Sequence, residues 1–241
     1  MDLDADRWGA DWADDYDELL PIPAQQTADA IDYLYRNACG GTVLEIAAGT
    51  GRLAIPLADR GLSVTATDAS DQMLARLRAK DRDARVTTRV EAMPVVTGGP
   101  FALIFCVYSS LTCLSTQDAQ LELVRAAAQN LAPGGRLVLE TLLIDPRAFV
   151  ETKPLAMTAD GMIARFGRYD VVTQILDQYY LVARRDRPVS TRPDTGRMVT
   201  PAELDLMAKL AGLRLRERLG DWAGAPFVRP GNVVSTYERD G

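Results

Sequence analysis

The chain has 241 residues, 47% of them hydrophobic, and carries 33 acidic against 27 basic side chains for a formal net charge of -6. That size supports one core with at most a small appendage, and the negative balance argues against a nucleic-acid surface. No apolar run approaches the roughly 18 residues of a membrane span, the acidic start "MDLDADRWGADWADDYDELL" is unlike a secretory leader, and three cysteines, Cys39, Cys106 and Cys113, without CxxC spacing suit a reducing, cytoplasmic setting without disulfides.

At the front, Trp8, Trp12 and Tyr16 recur every four residues, followed by Leu19 and Leu20. The spacing predicts a helix with one aromatic face, either packed into the core or laid as a lid over a ligand mouth. From 42 to 142 the chain alternates apolar β-prone runs with helical patterns: "TVLEI", "GRLAIPLADRG", "LSVTATD", "SDQMLARLRAK", "RVTTRVEAM" and "FALIFCVY". A helix follows over about 117 to 131, with Leu121, Val124, Ala128 and Leu131 on one face, and then the turn "APGG" and the strand "GGRLVLETLL". Five strands with helical crossovers predict a parallel sheet wrapped by helices. Beyond it, "GMIARFGRYD" and "VVTQILDQYYLVARRD" read as extended segments of an antiparallel insertion, and "RPVSTRPDTGR" as a polar loop. In "VTPAELDLMAKLAGL", Thr200, Pro201 and Glu203 make a capping-box start for a helix that ends near Gly212. The closing strands are "LRLRERLG" and "NVVSTYER".

The stretch "TVLEIAAGTGRLA" carries the first functional signal. Glycines at 49 and 51 let the backbone approach a ligand without a Cβ in the way. On residues alone the ligand stays open: Gly49, Gly51 and Ala54 satisfy the G-x-G-x-x-G/A pattern of dinucleotide sites, and Asp68 could take a ribose diol there. Taken with "VTATDASDQML", "VEAM", "FALIFCVYSSLTCL" and "LAPGGRLVLET", however, the chain closely resembles the small-molecule branch of the class I S-adenosylmethionine-dependent methyltransferases, over roughly residues 16 to 239. The resemblance implies an α/β, Rossmann-like, seven-stranded and mostly parallel sheet with helices on both faces, an antiparallel insertion and an N-terminal lid helix. It divides a single domain into lid helices (1–38), a cofactor-binding core (42–145), a substrate-side insertion (146–198) and a C-terminal helix with strands (199–241).

The resemblance also implies a cofactor, S-adenosylmethionine, leaving as S-adenosylhomocysteine. Glu45, Ala47, Gly49, Gly51 and Arg52 would wall its methionine part, Asp68 would accept from both ribose hydroxyls, and Ala69 and Met73 would flank adenine opposite Ala92 and Met93. Cys106, Val107 and Tyr16 complete the expected cofactor set. Two departures stand out: Ala47 replaces the first glycine of the family's turn, and Ala92 replaces its usual acidic residue, so a side-chain acceptor for adenine's amino group is missing.

Methyl transfer is an in-line displacement in which the protein aligns the nucleophile and excludes water. A hydroxyl or protonated amine must also lose a proton, and the chain has no histidine to take it. Related enzymes often carry that histidine where Cys113 stands. That replacement favours a tyrosine, a carboxylate or no protein base at all; the expected catalytic residues are Tyr16, Tyr108 and Tyr179, and the expected substrate-binding residues Ser109, Cys113, Asp145, Arg165 and Tyr180, without a metal. A small-molecule acceptor, methylated on O or N, is the expected partner of a monomer or homodimer that contacts neither nucleic acid nor membrane. The alternatives are a descendant that keeps the cofactor without methylating, such as a cyclase, and a nicotinamide-dependent oxidoreductase.

Overall fold

The structure is a computed structural model that describes residues 9, 11–147, 152–158 and 161–239; Trp8 lies outside the described residues. A seven-stranded sheet is built from β1 (Val43–Ile46), β2 (Val64–Asp68), β3 (Val86–Val90), β4 (Phe101–Cys106), β5 (Leu131–Leu143), β10 (Leu213–Leu219) and β11 (Gly231–Arg239). Its order is β10-β11-β5-β4-β1-β2-β3, with β11 antiparallel to both of its neighbours and the rest parallel. This is the Rossmann-like architecture expected from the sequence.

The alternating directions of strand side chains give the sheet two cores. Val43, Leu103, Phe105 and Val138 point to one face, against α2 (Ala24–Ala38), α3 (Ala54–Asp59) and α4 (Asp71–Lys80). Leu44, Ile46, Ile104 and Cys106 point to the other, against α5 (Gln117–Asn130) and α6 (Pro201–Leu210). Side-chain oxygens start three of these helices: Ser70 accepts from Met73 N, Thr116 from Ala119 N and Thr200 from Glu203 N. The reciprocal half of the expected capping box is absent, because Glu203 pairs with Arg197 instead. The "APGG" residues bulge out of β5 between Leu131, opposite Phe101, and Arg136, opposite Leu103.

A second sheet, antiparallel in the order β6-β7-β8-β9, is formed by β6 (Thr152–Thr158), β7 (Gly161–Tyr169), β8 (Ile175–Arg184) and β9 (Arg187–Arg197). Here the sequence reading is corrected: "RPVSTRPDTGR" is a full strand, not a loop. Its two prolines are tolerated because β9 is an edge strand, where a missing N–H breaks no central ladder. The sheet is tied to the main body by Arg197. Its guanidinium donates to Gln120 Oε1 at 2.7 Å and to Gln174 Oε1 and Glu203 Oε1 at 2.6 Å, and its carbonyl accepts from Gln120 Nε2.

The expected aromatic helix is also corrected. Residues 11 and 12 are helical, 13 to 15 form a turn, and the helix resumes as α1 (Tyr16–Leu19). Among the described residues no helix is long and apolar enough to cross a membrane.

Candidate active site

A cavity of about 700 Å³ opens beyond the C-terminal ends of β1, β2 and β4, between the main sheet and the antiparallel sheet. Its floor is the glycine turn. After β1 the backbone enters the left-handed region at Ala47 (φ 56°), Gly49 (φ 57°) and Gly51 (φ 85°). A Cβ on Gly49 would meet nothing within 4 Å, so this turn leaves open space for a ligand, whereas a Cβ on Gly51 would lie 2.6 Å from Leu77 Cγ. Gly51 therefore serves the packing of the turn on α4 and does not line the cavity. Ala47 lines the cavity in a conformation that costs an L-residue roughly 1–2 kcal/mol.

Asp68 ends β2 and faces the cavity. Its Oδ2 accepts from Gly49 N at 2.8 Å and its Oδ1 from Ser70 N at 2.9 Å, which fixes the carboxylate while each oxygen keeps a lone pair. Burial raises its pKa, opposed by these backbone donors. Ala69, Ala92 and Met93 line the same end. So does Glu91, which the sequence reading passed over. Its Oε2 accepts from Thr97 Oγ1 at 2.6 Å, while the buried Oε1 has no hydrogen-bond partner among the described residues. An acceptor is thus present at this end, one position before Ala92.

Several expected cofactor residues stand behind the wall. Glu45 is buried under the turn, its Oε2 without a partner among the described residues, and burial pushes its pKa up to about 8 despite Arg52 and the Ala54 N–H. Arg52 lies outside the lining and donates to Thr27 Oγ1 at 3.3 Å. Met73 is core, packed with Trp12 and Ala13. Cys106 and Val107 are buried in the two main cores, and burial raises the Cys106 thiol far above its ordinary range.

The acceptor end collects Tyr16, Tyr108, Ser109, Cys113, Arg165 and Tyr180. Burial raises the hydroxyls of Tyr16, Tyr108 and Tyr180, and pushes the Cys113 thiol up to about 12, so none of them ionises readily. Two expected residues are absent. Tyr179 is 54% exposed because successive strand residues face opposite ways, and Tyr180 takes the inward direction. Asp145 lies outside the lining, accepting from Arg147 N. Residues the sequence reading missed include Glu140, Gln178 and Asp194. Glu140 Oε2 accepts from Tyr108 N at 2.7 Å, and its Oε1 accepts from Trp222 Nε1 at 3.0 Å and Asn232 Nδ2 at 3.4 Å. It thereby holds Tyr108 (φ 55°) and Ser109 (φ 60°) in a left-handed pair that would otherwise relax.

The N-terminal segment roofs this space. Trp12 is 1% exposed and meets Tyr180 edge-on at 5.1 Å and Tyr16 at 6.3 Å. Arg192 of β9 sits 4.7 Å over the Trp12 ring and grips Asp15 with two bonds of 2.7 and 2.9 Å. On the other side Asp17 accepts from Thr50 Oγ1 at 2.7 Å. One short stretch thus bridges the glycine turn and the antiparallel sheet.

Residues 43–135 match a family model described as a methyltransferase domain. The cypemycin N-terminal methyltransferase of a Streptomyces species is 27% identical over 214 residues, 85% of this chain and 86% of that one. The solved CcbJ methyltransferase from Streptomyces caelestis superposes with a TM-score of 0.92 at 28% identity, covering 99% of this chain and 100% of the other. The chain is an S-adenosylmethionine-dependent methyltransferase. A ubiquinone biosynthesis O-methyltransferase from Xanthomonas campestris pv. campestris (strain B100) is 32% identical over 142 residues, 56% of each chain. For a methyltransferase of this class the geometry fits the cofactor: an open turn at Gly49 and a fixed carboxylate at Asp68 for a diol. The nicotinamide alternative is set aside by these likenesses.

Proposed function

We propose that this methyltransferase modifies a nitrogen or oxygen of a small molecule in the cytoplasm, as a monomer or homodimer. The observation that carries the reading is the continuity of one roofed cavity from Asp68 and Glu91 at one end to Tyr108, Tyr180 and Asp194 at the other. Similarity to enzymes named for N-methylation and for O-methylation supports both acceptor atoms. When bound, S-adenosylmethionine supplies a methyl group on a sulfonium that leaves without acid assistance.

The chain's own residues supply the rest. Asp68 and Glu91 bind the nucleoside, with Ala47, Gly49, Ala69, Ala92 and Met93 shaping its bed. Trp12 and Tyr16 exclude water from above, and the loop of Tyr108 and Ser109, pinned by Glu140, orients the acceptor. Glu45, Gly51, Arg52, Met73, Cys106 and Val107 support these groups from behind. The test is ligand-dependent melting together with transfer of labelled methyl groups to a panel of small amines and alcohols. S-adenosylhomocysteine should raise the melting temperature by mass action, and NAD should not. Stabilisation by NAD alone would overturn the reading.

A further inference from the structure

One wall of the cavity is the inner face of the antiparallel sheet, none of whose residues is among those assigned above to the nucleoside. Arg165 of β7, Gln178 and Tyr180 of β8 and Asp194 of β9 reach the cavity from it. The register sets Gln178 directly opposite Asp194, and Arg165 opposite Tyr180. Asp194 Oδ2 accepts from Gln178 Nε2 at 2.6 Å, the one hydrogen bond to its side chain among the described residues. The same Gln178 nitrogen also lies 3.4 Å from Tyr180 Oη. Gln178 is only 9% exposed, yet its Oε1 has no donor among the described residues. The donation to Asp194 fixes which end of the amide is oxygen.

Two acceptors, one of them a carboxylate, therefore stand side by side in a buried wall. Buried acceptors of this kind are ordinarily satisfied. The rings of Tyr16, Tyr108 and Tyr180 border the same space, and aromatic faces attract cations. A hydroxyl has a single hydrogen to give, whereas a protonated amine brings two or three N–H donors and a positive charge.

We propose that this wall is an amine subsite, in which Asp194 and Gln178 Oε1 receive the N–H groups of a protonated primary or secondary amine that is the atom to be methylated. The inference rests on the methyltransferase reading and narrows it from nitrogen or oxygen to nitrogen. Asp194 also serves as the proton acceptor: an N–H bond breaks, an O–H bond forms on the carboxylate, and the electron pair stays on nitrogen as the nucleophile. Burial raises the Asp194 pKa, which suits it to take that proton, while Gln178 and Arg165 oppose the shift and keep the carboxylate available. No histidine is then needed.

The test uses the full-length protein saturated with S-adenosylhomocysteine and titrated calorimetrically with matched pairs, cyclohexylamine against cyclohexanol and glucosamine against glucose. Amines should bind at least about tenfold more tightly than their hydroxyl twins, as expected for a charge-assisted contact. Asp194→Asn should erase that preference while leaving S-adenosylhomocysteine affinity within about twofold, since Asp194 lies apart from the nucleoside end. Equal binding of amines and alcohols to the wild type, no saturable amine binding, or an amine preference surviving in Asp194→Asn would each overturn the proposal. The wild-type comparison stands even if the variant does not fold. Failure of S-adenosylhomocysteine itself to bind would instead bring down the methyltransferase reading, and this inference with it.

Discussion

At the scale of single residues, the informative side chains are carboxylates that burial has made expensive to ionise. Asp68 has both oxygens engaged by backbone donors before any ligand arrives. Asp68→Ala should therefore weaken S-adenosylhomocysteine binding by about 1.5–3 kcal/mol, the range for hydrogen bonds to a charged group. Calorimetry reads the change, and unchanged affinity in a folded variant would remove Asp68 from the site. Glu45 makes a different prediction. Its folded pKa of about 8 stands above the ordinary 4.5, so between those values the folded chain holds a proton that the unfolded chain has lost. Glu45 consequently makes stability fall as pH rises through that window. Glu45→Gln cannot ionise, and its melting temperature relative to wild type should climb from pH 5 to pH 8; a pH-independent difference would contradict the assignment. Asp68 was legible from its place at the end of an apolar run. Glu91 was not, because adjacent residues compete for one direction and only the backbone path decides which faces the ligand.

At the scale of elements, the N-terminal segment joins what the chain separates. Asp15 is gripped by Arg192, Asp17 receives Thr50, and Trp12 is buried against Tyr180 and Met73. A variant lacking residues 1–15 should retain the main sheet, lose most methyl transfer and also melt lower, because it uncovers Met73 as well as the cavity. Arg192→Ala separates the two effects. It leaves the segment in place but removes the bidentate grip, so turnover should drop more than stability. Retention of full turnover in the truncated protein would refute the roofing role. Tyr16→Phe, assayed alongside, tests the hydroxyl apart from the ring. The four-residue aromatic spacing was readable, but the turn at 13–15 that interrupts the helix was not, since it is set by docking onto two different sheets.

At the scale of the whole molecule, the antiparallel sheet is locked to the α/β body by buried polar bonds around Arg197. The guanidinium meets Gln120 on α5, Gln174 before β8 and Glu203 on α6, and Gln120 returns a bond to the Arg197 carbonyl. Arg197→Met leaves Glu203 without its cation and Gln120 without one partner. Breaking a buried pair in this way should reduce stability by about 3–5 kcal/mol in urea denaturation, and should weaken binding at the Asp194 wall, because β9 carries both residues. A loss below about 1 kcal/mol would show that the network is not what couples the sheets.

The succession of strands and helices along the α/β core and the glycine turn were determined by the sequence itself, because apolar periodicity and left-handed turns are local requirements that neighbouring residues must meet. The N-capping oxygens of Thr116 and Thr200 belong to the same class of short-range signal. Other features were decided only in three dimensions. "RPVSTRPDTGR" carries a loop's composition and becomes a strand because β8 offers it a full hydrogen-bonded edge. Tyr179 and Tyr180 are chemically identical, and the face of the pleat alone turns one to solvent and the other to the cavity. Asp194 meets Gln178, 16 residues away in the chain, only because that edge strand pairs with β8. Long-range pairing is what brings acceptors of separate strands into one buried wall, and no local pattern records it.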